Sequence, residues 1–141
     1  MQYGIFISHS WKHSHHYDTL ASWIFEENWQ TGNGVVVEFV DLSVPKDDPI
    51  HFARNDAELQ AAIYSKISRS SVVVIPTGMY ATHSKWIGKE ITGSNLYGKP
   101  ILAVNPWAQE KKSSIVQAAA KETCGWNQNS VAQGIWRLCR T

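Results

Sequence analysis

Cysteine is scarce in this 141-residue chain: there are two, Cys124 and Cys139, and neither stands in a CxxC or other metal-spaced pattern. A disulfide scaffold and a thiolate metal site are therefore not expected, and two reduced thiols in a cytoplasmic protein are the default. No apolar run approaches the roughly 20 residues of a membrane span, and the N-terminus has no signal-peptide layout. Charge of one sign is also lacking. Thirteen Lys and Arg against twelve Asp and Glu give a net charge of +1, so there is no basic footprint for nucleic acid. The common catalytic and nucleotide motifs are absent as well: GxGxxG after the first strand, GxxxxGK[ST], GxSxG and HExxH. A receiver-type acidic pair after strand one is missing too, with Ser8 and His9 in its place.

The 43% hydrophobic and 18% charged content suits a globular protein with its own core, read as a single domain over residues 1–141. Seven tryptophans are many for this length. Trp11, Trp86, Trp107 and Trp126 are candidates for stacking on a flat ring, with core or helix-packing roles the competing reading for at least half of them.

Strand and helix alternate along the chain. Gln2–Ser8 reads as a strand, and the spacing of Tyr17, Leu20, Ala21 and Ile24 predicts a helix from about His15 to Trp29. Val35–Val40 is a second strand, rich in β-branched residues. The Pro- and Asp-rich stretch Asp41–Phe52 reads as a long loop of the kind that carries function. Leu59, Ile63 and Ile67 mark a second helix, Ser71–Pro76 a buried strand, and Gly98 the stop of the helix after it. Pro100–Val104, a short helix Ser113–Lys121, an edge strand Glu122–Trp126 and a last helix with capping-box spacing at Ser130 and Gln133 complete the pattern. Central strands apolar on both faces predict a three-layer α/β fold, a parallel sheet of four to five strands with helices on both sides. The expected order is the flavodoxin-like 2-1-3-4-5, in which ligands bind where the carboxyl ends of the first and third strands diverge.

That topology converges Ser8, His9 and Trp11, Thr77 and Gly78, and the start of the following helix on one crevice, with Asp41 on its rim. On the helix, Trp86 and Glu90 are four residues apart and share a face. An indole beside a carboxylate suits holding a flat ring and stabilising a developing positive charge. The competing reading is a half-buried Trp with a solvated Glu. Four histidines crowd between residues 9 and 16. With no further ligand at a recognisable spacing they read as loop and helix-start residues, and no metal site is assigned.

The stretches FISHSWKHSHHYDTL, DLSVPKDDPI, SSVVVIPTGMYATHSKWIGKEI, YGKPILAVNPW and CGWNQNS together resemble the TIR-like domains related to the sensor subunit of the bacterial Thoeris anti-phage system. The resemblance covers nearly the whole chain and implies a flavodoxin-like TIR fold. Enzymatic TIR domains carry Ser-x-Trp-x-x-x-Glu on the helix after the third strand, and Ser84, Trp86 and Glu90 match it; Ile87 replaces the cysteine that often follows the Trp. The resemblance implies Glu90 as the catalytic residue, Trp86 against the ribose or nicotinamide, and Phe6, Ser8 and His9 on the opposite wall. It implies NAD as substrate, with no cofactor, and cleavage at the nicotinamide–ribose bond with cyclisation to a cyclic ADP-ribose isomer. The implied partners are further copies of the chain on activation, a phage-derived trigger, and an effector reached through the diffusible nucleotide. A non-catalytic TIR-type interaction module, with Trp86 and Glu90 as helix-surface residues, is the alternative.

Overall fold

The computed structural model describes residues 2–8, 14–26, 29–43, 56–77, 84–105 and 114–140. Its six strands are β1 (Gln2–Ile7), β2 (Trp29–Gln30), β3 (Val36–Asp41), β4 (Val72–Pro76), β5 (Ile101–Asn105) and β6 (Glu122–Gly125). The helices are α1 (Ser14–Phe25), α2 (Asp56–Ser68), α3 (Ser84–Leu96), α4 (Ser114–Ala119) and α5 (Gln128–Cys139). The sheet order is β2-β3-β1-β4-β5-β6, and every neighbouring pair is parallel except β2 with β3. Set the two-residue β2 aside, and the five parallel strands follow the expected order.

That extra strand corrects the sequence reading at one place. The first helix ends at Phe25 rather than at about Trp29, and Trp29 instead pairs with Val37 on the sheet edge. The indole packs 6.1 Å from the ring of Trp136, a contact between distant parts of the chain that the helical period could not foresee. The last helix also starts earlier than the Ser130 cap predicts. Asn127 is the N-cap, and its side chain accepts from the Ser130 N–H at 3.1 Å, so Ser130 sits at the third helical position and is capped rather than capping.

Alternation along the strands splits the core in two. Ile5, Ile7, Val37, Phe39, Val72, Val74, Leu102 and Val104 face α1 and α5, meeting Leu20, Ile24, Val131, Ile135 and Leu138. Phe6, Val73, Ile75, Ile101 and Ala103 face the other way, meeting Ile63 and Ile67 of α2, Ile87 of α3 and Val116 of α4. Period 2 on buried parallel strands produces this division directly. Among the described residues no helix is long and apolar enough to cross a membrane.

Two glycines set the position of α3. At Gly93 an added Cβ would come within 2.8 Å of the Tyr64 ring, so the bare backbone lets α2 and α3 approach closely. Gly98 has φ 65°, and the Lys99 and Gly98 N–H groups donate to the Ser94 and Asn95 carbonyls at 2.8 and 3.3 Å. This is a Schellman end, and it stops α3 where the sequence predicts.

Candidate active site

On the α2/α3/α4 side, each central strand changes character at its carboxyl end. The apolar row Phe6, Ile75 and Ala103 lies within the core. Two residues further along the strands come Ser8, Thr77 and Asn105, and a step of two returns a side chain to the same face. Ser8 and Thr77 are 0% and 1% exposed. Ser8 is held by its N–H donating to the Val74 carbonyl at 2.8 Å, a bond that carries the β1/β4 pairing one residue beyond the strand. A polar row thus closes this half of the core at the carboxyl edge, where the first and third parallel strands are neighbours.

The row is partly satisfied from within. Thr77 Oγ1 donates to Asn105 Oδ1 at 3.1 Å, and Gln117 Nε2 of α4 donates to the same oxygen at 3.3 Å. Ser8 Oγ, by contrast, is buried with no hydrogen-bond partner among the described residues. A buried hydroxyl left so costs on the order of 1–3 kcal/mol, which a bound polar group would recover.

Glu90 enters on the same side of the sheet. It is 0% exposed, as Ser94 is, and Ile87 is 1% exposed. Positions 87, 90, 91 and 94 form one stripe at helical spacing, and it is the stripe whose Ile87 belongs to the same core cluster as Phe6 and Ile75. Ser94 Oγ donates to the Glu90 carbonyl oxygen at 2.7 Å, one turn on. The solvated-Glu reading fails here: the helix turns Glu90 inward with Ile87 rather than outward. Glu90 is the seventh residue of α3, about 9 Å along the axis from its start. The helix dipole acts mainly within the first turn, so it contributes little at Glu90.

The other anticipated residues distribute as follows. Phe6 is 1% exposed beneath Ser8. Ser84 and Trp86 lie in the first turn of α3, with side chains outside the described set. His9, Trp11 and Gly78 lie outside the described residues, as does most of the Asp41–Phe52 loop. Asp41 is set apart from the polar row. Its Oδ2 accepts from the Tyr17 hydroxyl at 2.6 Å and its Oδ1 from the Ser43 N–H at 2.9 Å, and Tyr17 packs on the α1/α5 core. Burial, followed by the bond to Asp41, raises the Tyr17 pKa. Trp126 likewise lies on the opposite face, its ring 5.4 Å from that of Trp23, so its role is packing rather than stacking on a ligand. Asn105 and Gln117 were not anticipated. The sequence signal for Asn105 is a polar side chain directly following the apolar run Ile101–Val104; for Gln117 there is none, because α4 meets β5 only in the fold.

The profile of the TIR-like domain of Thoeris protein ThsB matches residues 6–111. That span is well over half of the chain and includes Ser8, Thr77, Glu90 and Asn105. The chain belongs to this family. It is thereby a TIR-type protein of Thoeris anti-phage defence. A search of curated proteins gave no match.

Proposed function

We propose that this Thoeris TIR-like domain consumes NAD, cleaving the bond between nicotinamide and ribose with Glu90 as the catalytic carboxylate, and closes the product to a cyclic ADP-ribose isomer. One observation carries the reading: a glutamate in the Ser-x-Trp-x-x-x-Glu pattern is wholly withdrawn from solvent, on the face of α3 that meets the core beneath the polar row. Burying a carboxylate costs several kcal/mol that an apolar residue at a helix–sheet contact would not incur. A helix-surface Glu of a pure interaction module would incur no such cost.

The chemistry suits one carboxylate. Nicotinamide leaves as a neutral ring from a cationic one, so the leaving group needs no proton. The transition state is oxocarbenium-like, as in glycoside cleavage. A fixed negative charge in a site of low dielectric stabilises the positive charge developing on the ribose far better than water does. Trp86, one turn before Glu90, is the residue proposed for the ribose or nicotinamide, Ser8, His9 and Thr77 are those proposed for its other side, and Phe6 supports Ser8 from the core beneath. Cyclisation requires that water be excluded, so that an adenine nitrogen or a ribose hydroxyl reaches the anomeric carbon first. The site is completed on self-association in the cytoplasm after a phage-derived trigger, and the product reaches its effector by diffusion.

The test is nicotinamide release from NAD at high protein concentration, with and without lysate of phage-infected cells, with products resolved by chromatography. Release together with a cyclic co-product is expected. Linear ADP-ribose alone would make the enzyme a hydrolase, and a folded chain that releases nothing in infected lysate would refute the proposal.

A further inference from the structure

Resting on the NAD reading, we infer that Asn105, oriented by Gln117, is a specificity-determining residue of the same site and donates from its amide nitrogen to an oxygen of the bound substrate. The amide has two ends, and the described residues use one. Asn105 Oδ1 accepts both the Thr77 hydroxyl at 3.1 Å and the Gln117 amide at 3.3 Å. Two donors on one oxygen fill its two lone pairs, and turning the Asn105 amide over would set its Nδ2 against the Gln117 Nε2 donor. The Nδ2 group is thereby presented as a donor of fixed direction, and among the described residues no acceptor meets it.

Asn105 ends β5 at the same edge where Ser8 follows β1, with β4 between them. Neighbouring strands are about 4.8 Å apart, so the row Ser8, Thr77, Asn105 spans roughly 10 Å, comparable with a ribose and its attached nicotinamide. Its ends hold the unspent capacity, the buried Ser8 hydroxyl on one side and the Asn105 amide N–H on the other. A ligand that lies along the row and carries oxygen acceptors at separated points satisfies both, and the hydroxyls and carboxamide of a nicotinamide riboside unit do so. A clamp serving only to pin α4 to the sheet would need the bonds to Oδ1 and nothing more.

Calorimetric titration of NAD into Glu90→Gln protein separates binding from turnover. Adding Asn105→Leu is expected to weaken Kd roughly tenfold, the loss of one hydrogen bond, at a temperature where the variant is folded by circular dichroism. Gln117→Met, which leaves Asn105 in place but frees its amide to turn, is expected to weaken Kd about threefold; it carries the test should Asn105→Leu not fold. In protein retaining Glu90, KM should rise by the same factors with kcat within about twofold. If both variants bind NAD as tightly as the parent and lose only melting temperature, Asn105 is a clamp and the inference is overturned. If the parent itself binds no NAD at millimolar concentration, the NAD reading falls and this inference with it.

Discussion

The layer of α1 and α5 and the layer of α2, α3 and α4 cover the same sheet with different chemistry. The first is aromatic at its margins: Tyr3, Trp23, Trp29, Trp126 and Trp136 pack against its apolar core, with Tyr3 and Trp136 edge to face at 5.8 Å. Among the described residues the second has the smaller set of buried apolar side chains, yet it holds Glu90 and Ser94 on α3, with Ser8 and Thr77 at the strand ends, all no more than 1% exposed. A layer of aromatic and aliphatic contacts is explained by stability alone. A layer that withdraws a carboxylate from water, with a hydroxyl that has no partner among the described residues, is not, and on the proposed reading the α3 side is the one that serves chemistry.

Substitutions should separate the layers. The largest effect on stability is expected from Ile135→Ala, at a position 0% exposed in the α1/α5 layer. It should cost about 2–5 kcal/mol, read by chemical denaturation, with NAD turnover per folded molecule unchanged. Gly93→Ala comes next. Its new methyl meets the Tyr64 ring and should cost about 1–3 kcal/mol; because it pushes α3 away from α2 within a turn of Glu90, turnover should fall as well. If Gly93→Ala left turnover intact while Ile135→Ala abolished it, the division between layers would be wrong.

Asn127→Ala removes the α5 cap and should lower stability by about 1 kcal/mol without touching the site. The smallest effect concerns pH. Burial pushes the thiols of Cys124 and Cys139 up, to about 11 and about 12. Their folded pKa values exceed the unfolded ones, so the unfolded chain releases these protons first as pH rises. Their contribution to stability is therefore full at neutral pH and declines from about pH 9 toward 11–12. Melting temperature followed over that range should fall less steeply in Cys139→Ala than in the parent.

Much of this was legible in the chain. The apolar strands and the periods of Leu20 and Ile24 and of Val131, Ile135 and Leu138 specify which faces are buried, and the strand order follows from alternation and length. Trp29 in β2 depends on contacts between residues distant in sequence, which local periodicity does not contain, and such contacts also decide that Trp126 is one of the packing tryptophans. The Ser130 spacing was a genuine local signal, but Asn127 offers a second cap three residues earlier and takes the role. At the site, the pairing of Trp86 with Glu90 was visible as a spacing, whereas the burial of Glu90 needed α3 to be rolled onto the sheet by Ile87. Gln117 and Asn105 meet only across the α4/β5 contact.

If Glu90 is the catalytic carboxylate, nicotinamide release by the native chain is lost in Glu90→Gln, and comparing the two proteins decides the matter. Both proteins would be assayed at equal high concentration in infected-cell lysate and shown to be folded by circular dichroism. Release by the native chain and a loss of at least about 100-fold in the variant are expected, the scale of removing a main transition-state electrostatic contact. A folded Glu90→Gln protein that releases nicotinamide at the native rate would contradict a catalytic role for Glu90.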